Sequence, residues 1–212
     1  MKKEDDFFKE FLKHLFPRVV LRRNLRLTYT FCLGGLAFTV LLVLLVSGAL
    51  LLFHYQPATD RAFESILYLE NSVTGGWYVR NLHRLSANAF IVLLFLHTLR
   101  VLLTGAYRKP RELNWVIGFA LLCLALFEGY TGYLLPMDQL ALWATQTGMN
   151  LLATVPFGEL LRSFLVPDDV GQPMSLVRFY VLHIAVIPLN MLILCMLHFY
   201  RIRKDNGVLP YL

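Results

Sequence analysis

Four of the six histidines in this chain stand at regular intervals. His83 and His97 are fourteen residues apart in an otherwise apolar stretch, "YVRNLHRLSANAFIVLLFLHTLR". His183 and His198 are fifteen apart in another. An α-helix rises about 1.5 Å per residue with about 3.6 residues per turn, so fourteen residues span about 21 Å and nearly four turns. Each helix therefore presents two rings on almost one face, at two depths. Imidazole binds transition metals, and a histidine buried in a membrane is costly without a partner or a ligand. A lone membrane histidine usually belongs to a polar network. Two pairs at nearly one interval point to metal ligation.

Glycine repeats the interval on two further apolar runs: Gly34 and Gly48 are fourteen apart, as are Gly118 and Gly132. Glycine in a membrane helix permits close helix packing. It also lets a flat, wide ligand press against the backbone. If the four runs cross a bilayer in alternation, Gly34, Gly118, His97 and His198 share one layer. Gly48, Gly132, His83 and His183 share the other. Two axial imidazoles and two gaps for ring edges are what each of two stacked haems needs. Arg80 and Arg100 lie three residues from a histidine and share its face, which suits them to haem propionates. Arg84 adjoins His83 and points elsewhere, so its propionate role is the weaker one. The other reading makes these arginines snorkelling residues at helix ends.

The elements that must hold these residues are membrane helices. Of 212 residues, 57% are hydrophobic and 16% charged. No Asp, Glu, Lys or Arg occurs between Arg26 and Asp60. A span needs about 20 apolar residues. The expected helices are about 27–54, 78–107, 114–135 and 175–203, in a domain over 27–212. Residues 1–26 form a separate N-terminal segment, in which 4–16 read as an amphipathic helix, either lying on the membrane or packed on a partner as a soluble tail. The fold class is therefore all-α: an integral four-helix bundle around two stacked haems, with short surface helices. "RAFESILYLEN", "DQLALWATQ" and "FGELLRSFL" are the surface pieces. No removable signal peptide is apparent.

The net charge of +6 does not indicate nucleic acid. Eight Lys or Arg lie in residues 1–26, three more in 108–111 and three in 201–204. With four spans, all these segments fall on one side, which is then the cytoplasmic or negative (N) side. Both termini belong there. The loops over 55–77 and 136–174 belong on the positive (P) side. Cys32, Cys123 and Cys195 lie in the expected helices without a C-x-x-C spacing, so a disulfide framework is not expected.

The motifs "FCLGG", "HRLSA", "LHTLRVLLTG", "KPRELNWVIG", "GYLLPMDQ", "RFYVLH" and "MLHFYRIRK" resemble the cytochrome b family, specifically its split, b6-type form. The resemblance covers about residues 20–208. It implies a dihaem subunit of a proton-translocating quinol oxidoreductase of an energy-transducing membrane, such as a bacterial cytoplasmic membrane. Electrons from quinol on the P side would cross to quinone on the N side. Carried over by position, His83 and His183 ligate the P-side haem, and His97 and His198 the N-side one. Cys32 matches a cysteine that bonds a third haem through one thioether; the plain alternative is a packed small side chain. Arg203 is then placed at that haem's propionate or at a lipid headgroup. Asp205 is a candidate for quinone protonation, or simply a solvated tail residue.

The family's P-E-W-Y motif, whose glutamate accepts a quinol proton, does not occur. A second cytochrome b half is expected to supply it, beside an iron–sulfur protein and a c-type cytochrome, in a complex that is itself a homodimer in the lipid membrane. The chain alone is not expected to complete turnover. Two departures stand out: Met137 replaces a tryptophan, and Glu128 sits mid-helix where the family has a small or apolar residue. Glu128 reads either as a functional carboxyl or as one hydrogen-bonded to a neighbouring helix. The alternative function is a dihaem anchor linking the quinone pool to another dehydrogenase or reductase. A transporter or scaffold with proton-relaying histidines is the reading from another class.

Overall fold

The computed structural model describes residues 31–204. The expected amphipathic segment over 4–16 and Asp205 lie outside the described residues. Four helices are long and apolar enough to cross a membrane. They are α1 (Leu33–Leu52), α3 (Gly76–Leu103), α4 (Glu112–Leu134) and a last span over Pro173–Lys204. Three shorter helices join them: α2 (Ala62–Asn71), α5 (Gln139–Ala153) and α6 (Gly158–Leu165). The spans start and stop where the sequence turns polar or meets Gly and Pro. Gly75 takes a left-handed φ of 77° just before α3. A Cβ on Gly76 would lie 2.0 Å from the Leu69 carbonyl oxygen, so only glycine lets α3 begin directly under α2. Asp138 caps α5 by accepting from the Ala141 amide at 2.8 Å.

The last span is not uniform. It runs as α7 (Pro173–Val181), a π-helical turn (Leu182–Val186) and α8 (Ile187–Lys204). Pro188 has no N–H, so the ladder cannot continue in the ordinary way through the turn before it. A π turn takes up one extra residue. It contains His183, and this accounts for the interval of fifteen on this span against fourteen on α3. With the extra residue absorbed, His183 and His198 return to one face.

Helix α1 packs along α3, and α4 packs along α8. The two pairs touch each other much less, and α3 and α8, which carry the four histidines, are not closely packed. Midway along the bundle the slot between the pairs closes. Leu41, Phe90, Ala125 and Met191 are all buried there in one cluster. Leu41 is seven residues from Gly34 and from Gly48, Phe90 seven from His83 and from His97, and Ala125 seven from Gly118 and from Gly132. Met191 is seven from His198 and, across the π turn, eight from His183. Seven residues are about two turns, so the midpoint residues face inward as the histidines and glycines do. Lipid is as apolar as these side chains, so close packing rather than the hydrophobic effect holds this plug.

A second cluster closes the end of the bundle that carries α5 and α6, where Leu134, Met149, Leu165, Val166 and Phe179 are buried together. Helices α5 and α6 thereby cap the end of α4 and the start of the last span. Along the spans the outward positions are large and apolar, such as Val46, Leu85, Phe95 and Val116, as a lipid-facing surface requires.

The π turn makes a register prediction. Deleting Ala185 together with Pro188→Ala should close the turn into regular α-helix at an interval of fourteen. Both haem signals in a reduced-minus-oxidised spectrum should then survive. Inserting one Leu after Leu194, within regular α-helix, should rotate one ring by about 100° and remove one of the two signals.

Candidate functional site

The four histidines meet in two pairs. His83 and His183 have ring centres 6.2 Å apart with planes at 78°. His97 and His198 have ring centres 6.5 Å apart at 79°. One metal ion with two imidazole bonds of about 2 Å separates two ring centres by about 6 Å. Both gaps therefore fit a single metal between two imidazoles. Among the described residues no cluster of three or more His, Cys, Asp or Glu side chains is gathered for a metal ion. Two imidazoles are too few for a protein-only tetrahedral centre. They suit the two axial positions of a metal whose other ligands come from a macrocycle.

Each glycine faces one of these rings. A Cβ on Gly34 would lie 3.2 Å from the His97 Cε1 atom, one on Gly118 3.2 Å from that of His198, and one on Gly48 3.2 Å from that of His83. At Gly132 the corresponding distance to His183 is 2.4 Å. The layers drawn from the sequence thus recur in space: Gly34, Gly118, His97 and His198 in one, Gly48, Gly132, His83 and His183 in the other.

The Nδ1 atoms of the His83–His183 pair are held. Ser47 Oγ lies 2.9 Å from His83 Nδ1 and donates its own hydrogen to the Val43 carbonyl at 2.7 Å. With that hydrogen used, Ser47 accepts from Nδ1–H, which leaves Nε2 of His83 free to bind a metal. His183 Nδ1 lies 3.1 Å from the Glu128 carbonyl oxygen and donates to it, which frees its Nε2 in the same way. Thr131, fully buried, donates to the same carbonyl at 3.0 Å. Sequence reading missed Ser47 and Thr131. Each lies one residue before a layer glycine, and that was the available signal.

The layer of His97 and His198 opens on a cavity of about 300 Å³. Cys32, Gly34, His97, Arg100, Arg111 and His198 are among its lining residues. Cys32 is exposed, with a left-handed φ of 50° immediately before α1. Arg111 and Asn114 are buried here, and neither was singled out from the sequence. Arg111 stands seven residues before Gly118, on the same inward face. Arg203 is exposed at the end of α8. Near the His83–His183 layer the arginines are differently placed. Arg80 forms a close ion pair with Glu70 of α2. Arg84 is exposed and donates to Asn81 Oδ1 at 3.3 Å. Met137 has a left-handed φ of 54° and packs in the cap formed with α5 and α6.

The family described as Cytochrome b/b6/petB matches residues 19–206. The chain belongs to the cytochrome b family. It is 37% identical over 201 residues to the menaquinol:cytochrome c reductase cytochrome b subunit of Geobacillus thermodenitrificans, covering 94% of this chain and 90% of the relative. It is 40% identical over 178 residues to cytochrome b6 of Synechocystis, covering 83% and 80%. A solved structure titled Hyperthermophilic respiratory Complex III superposes with a TM-score of 0.78 at 28% identity, over 84% of this chain. This chain spans about half, 48%, of that longer polypeptide. Family membership makes this a multi-pass membrane electron-transfer subunit of the bc/b6f type, and implies two b-type haems.

The glycine distances rank the substitutions. Gly132→Ala should already disturb the P-side haem, because its methyl group has no room against His183. Gly34→Ala, Gly48→Ala and Gly118→Ala need shifts of only a few tenths of an ångström and should keep both haems. Leu at any of the four should remove or loosen the haem of its own layer. Haem content per chain and the α-band positions in purified variants check this order.

Proposed function

We propose that this chain carries electrons across the membrane, from quinol oxidation on the P side to quinone reduction on the N side. His83 and His183 hold the P-side haem iron, and His97 and His198 hold the N-side iron. When bound, each haem supplies a one-electron ferric/ferrous couple. Gly34, Gly48, Gly118 and Gly132 leave room for the porphyrin edges. Arg100 in the N-side layer and Arg80 in the P-side layer answer propionates, Arg80 while also paired to Glu70; Arg84 is their exposed neighbour. The two ring pairs, each with a gap for one metal and each faced by two glycines, are the observation that carries this reading.

The chain works as one half of a cytochrome b. A second half supplies the quinol-oxidising glutamate, an iron–sulfur protein and a c-type cytochrome take the other electron, and the assembly is a homodimer in the cytoplasmic membrane. Both termini lie on the N side, which the Lys and Arg of the 108–111 and 201–204 segments support. Cys32 bonds a third haem through one thioether. Its exposure, and its place on the rim of the N-side cavity beside His97 and His198, support that role. Arg203 serves that haem's propionate or a lipid headgroup.

Ligand replacement tests the pairing. His83→Ala and His183→Ala should each remove the same component of the reduced-minus-oxidised spectrum. His97→Ala and His198→Ala should each remove the other. Loss of one component from both His83→Ala and His198→Ala, with the other kept, contradicts the pairing. A colourless wild-type protein contradicts the function.

Denaturation tests Cys32. Axially held haems leave an unfolded chain, whereas a thioether survives. One haem should remain on the denatured chain, seen by peroxidase staining and by added mass. Cys32→Ala should abolish it while both b-type signals persist. Cys123→Ala and Cys195→Ala should leave it in place.

A further inference from the structure

The two layers share a plan but differ in one group, Glu128. It lies within α4 at the level of the P-side pair, half-buried, with a carboxyl oxygen 3.2 Å from His183 Nδ1. Its own backbone carbonyl lies 3.1 Å from the same atom. One N–H of one ring thus faces two oxygens of a single residue. The second carboxyl oxygen is buried and has no hydrogen-bond partner among the described residues. Among the described residues no other of the four rings has a carboxyl group paired with it. His83, the opposite ring of the same layer, is faced by neutral oxygens, the Ser47 hydroxyl and the Leu44 carbonyl.

An oxygen acceptor on the far nitrogen of a ligating imidazole fixes its tautomer and orientation and raises its basicity. A more basic axial ligand favours the ferric over the ferrous iron, and second-shell hydrogen bonding is one of the means by which a protein sets haem potential. We propose that Glu128 is a positioning residue for His183 that lowers the midpoint potential of the P-side haem relative to the N-side haem. This rests on the assignment of His183 as an iron ligand. It adds a residue outside the ligand set, acting on one layer alone.

The test is a redox titration of the membrane-embedded complex, with wild type compared against Glu128→Gln and Glu128→Leu. The ligand variants identify which spectral component is the P-side one. In Glu128→Leu, the reduced-to-oxidised ratio of that component at the wild-type midpoint should rise about tenfold, which is about 59 mV for a one-electron couple. Glu128→Gln has nearly the same size and keeps an amide oxygen, so it should shift the same way by less. The N-side component should titrate as in wild type. The low-spin electron paramagnetic resonance signal of the P-side haem should move with the potential. Unchanged P-side potentials in both variants, or equal shifts of both haems, overturn the proposal. So does loss of the P-side haem from both variants, which would make Glu128 a scaffold element. If Leu alone loses the haem, the Gln shift decides. A wild type without two titrating components would instead overturn the ligand assignment, so the two failures are distinguishable.

Discussion

A histidine ring in hydrocarbon must have both its nitrogens answered, because no water is there to do it. The structure shows how that demand is met for two of the four rings. On the P side the far nitrogens are answered from within the bundle, by Ser47 and by the backbone of Glu128. The near nitrogens are left to a metal, across gaps of a size that one ion fills. Glycine, otherwise unfavourable in a helix interior, stands opposite every one of the four histidines, where a Cβ would press on the imidazole ring.

The two sites must also be kept apart, and the same seven-residue half-step does this. Phe90, Leu41, Ala125 and Met191 occupy the midpoints between the layers and pack into one apolar plug. The bundle is therefore not a continuous channel. It is two slots with an apolar partition between them. The π turn at Leu182–Val186 keeps the last helix in step, so that Met191 still faces the plug although His183 lies eight residues away.

Much of this was legible in the sequence, because spacing along a helix is geometry. The intervals assigned each histidine and glycine to a layer, and the structure gathers the same four residues in each. The surface pieces in "DQLALWATQ" and "FGELLRSFL" form α5 and α6. The π turn was not legible. An interval of fifteen reads as a loose version of fourteen until backbone hydrogen bonds show where the extra residue went, although Pro188 was the clue. Ser47 and Thr131 were passed over because a lone hydroxyl in an apolar run usually bonds back to its own helix, and both do that as well. Arg80 was read from its distance to His83 alone. Its pairing with Glu70 depends on α2 folding back over α3, which no local pattern encodes.

A symmetric plan would give two equal sites, yet transport in one direction needs unequal ones. In the proposed direction an electron moves toward the negative side, and moving one charge fully across costs about 2.3 kcal/mol per 100 mV of membrane potential. The layers, about 21 Å apart, take in most of a hydrocarbon core of about 30 Å. The protein must offset most of that cost through the surroundings of the rings. In the His83–His183 layer oxygen atoms of Ser47 and Glu128 crowd the Nδ1 positions, and Arg80 is paired with Glu70. On the N side Arg100 and the buried Arg111 line the cavity beside His97 and His198. Electron-rich neighbours favour the oxidised state of a site, and cations favour the reduced state. All four rings are imidazoles, so the difference between the layers that the proposed direction requires has to lie in the neighbours of the rings, such as the oxygen atoms facing His83 and His183, not in the rings themselves.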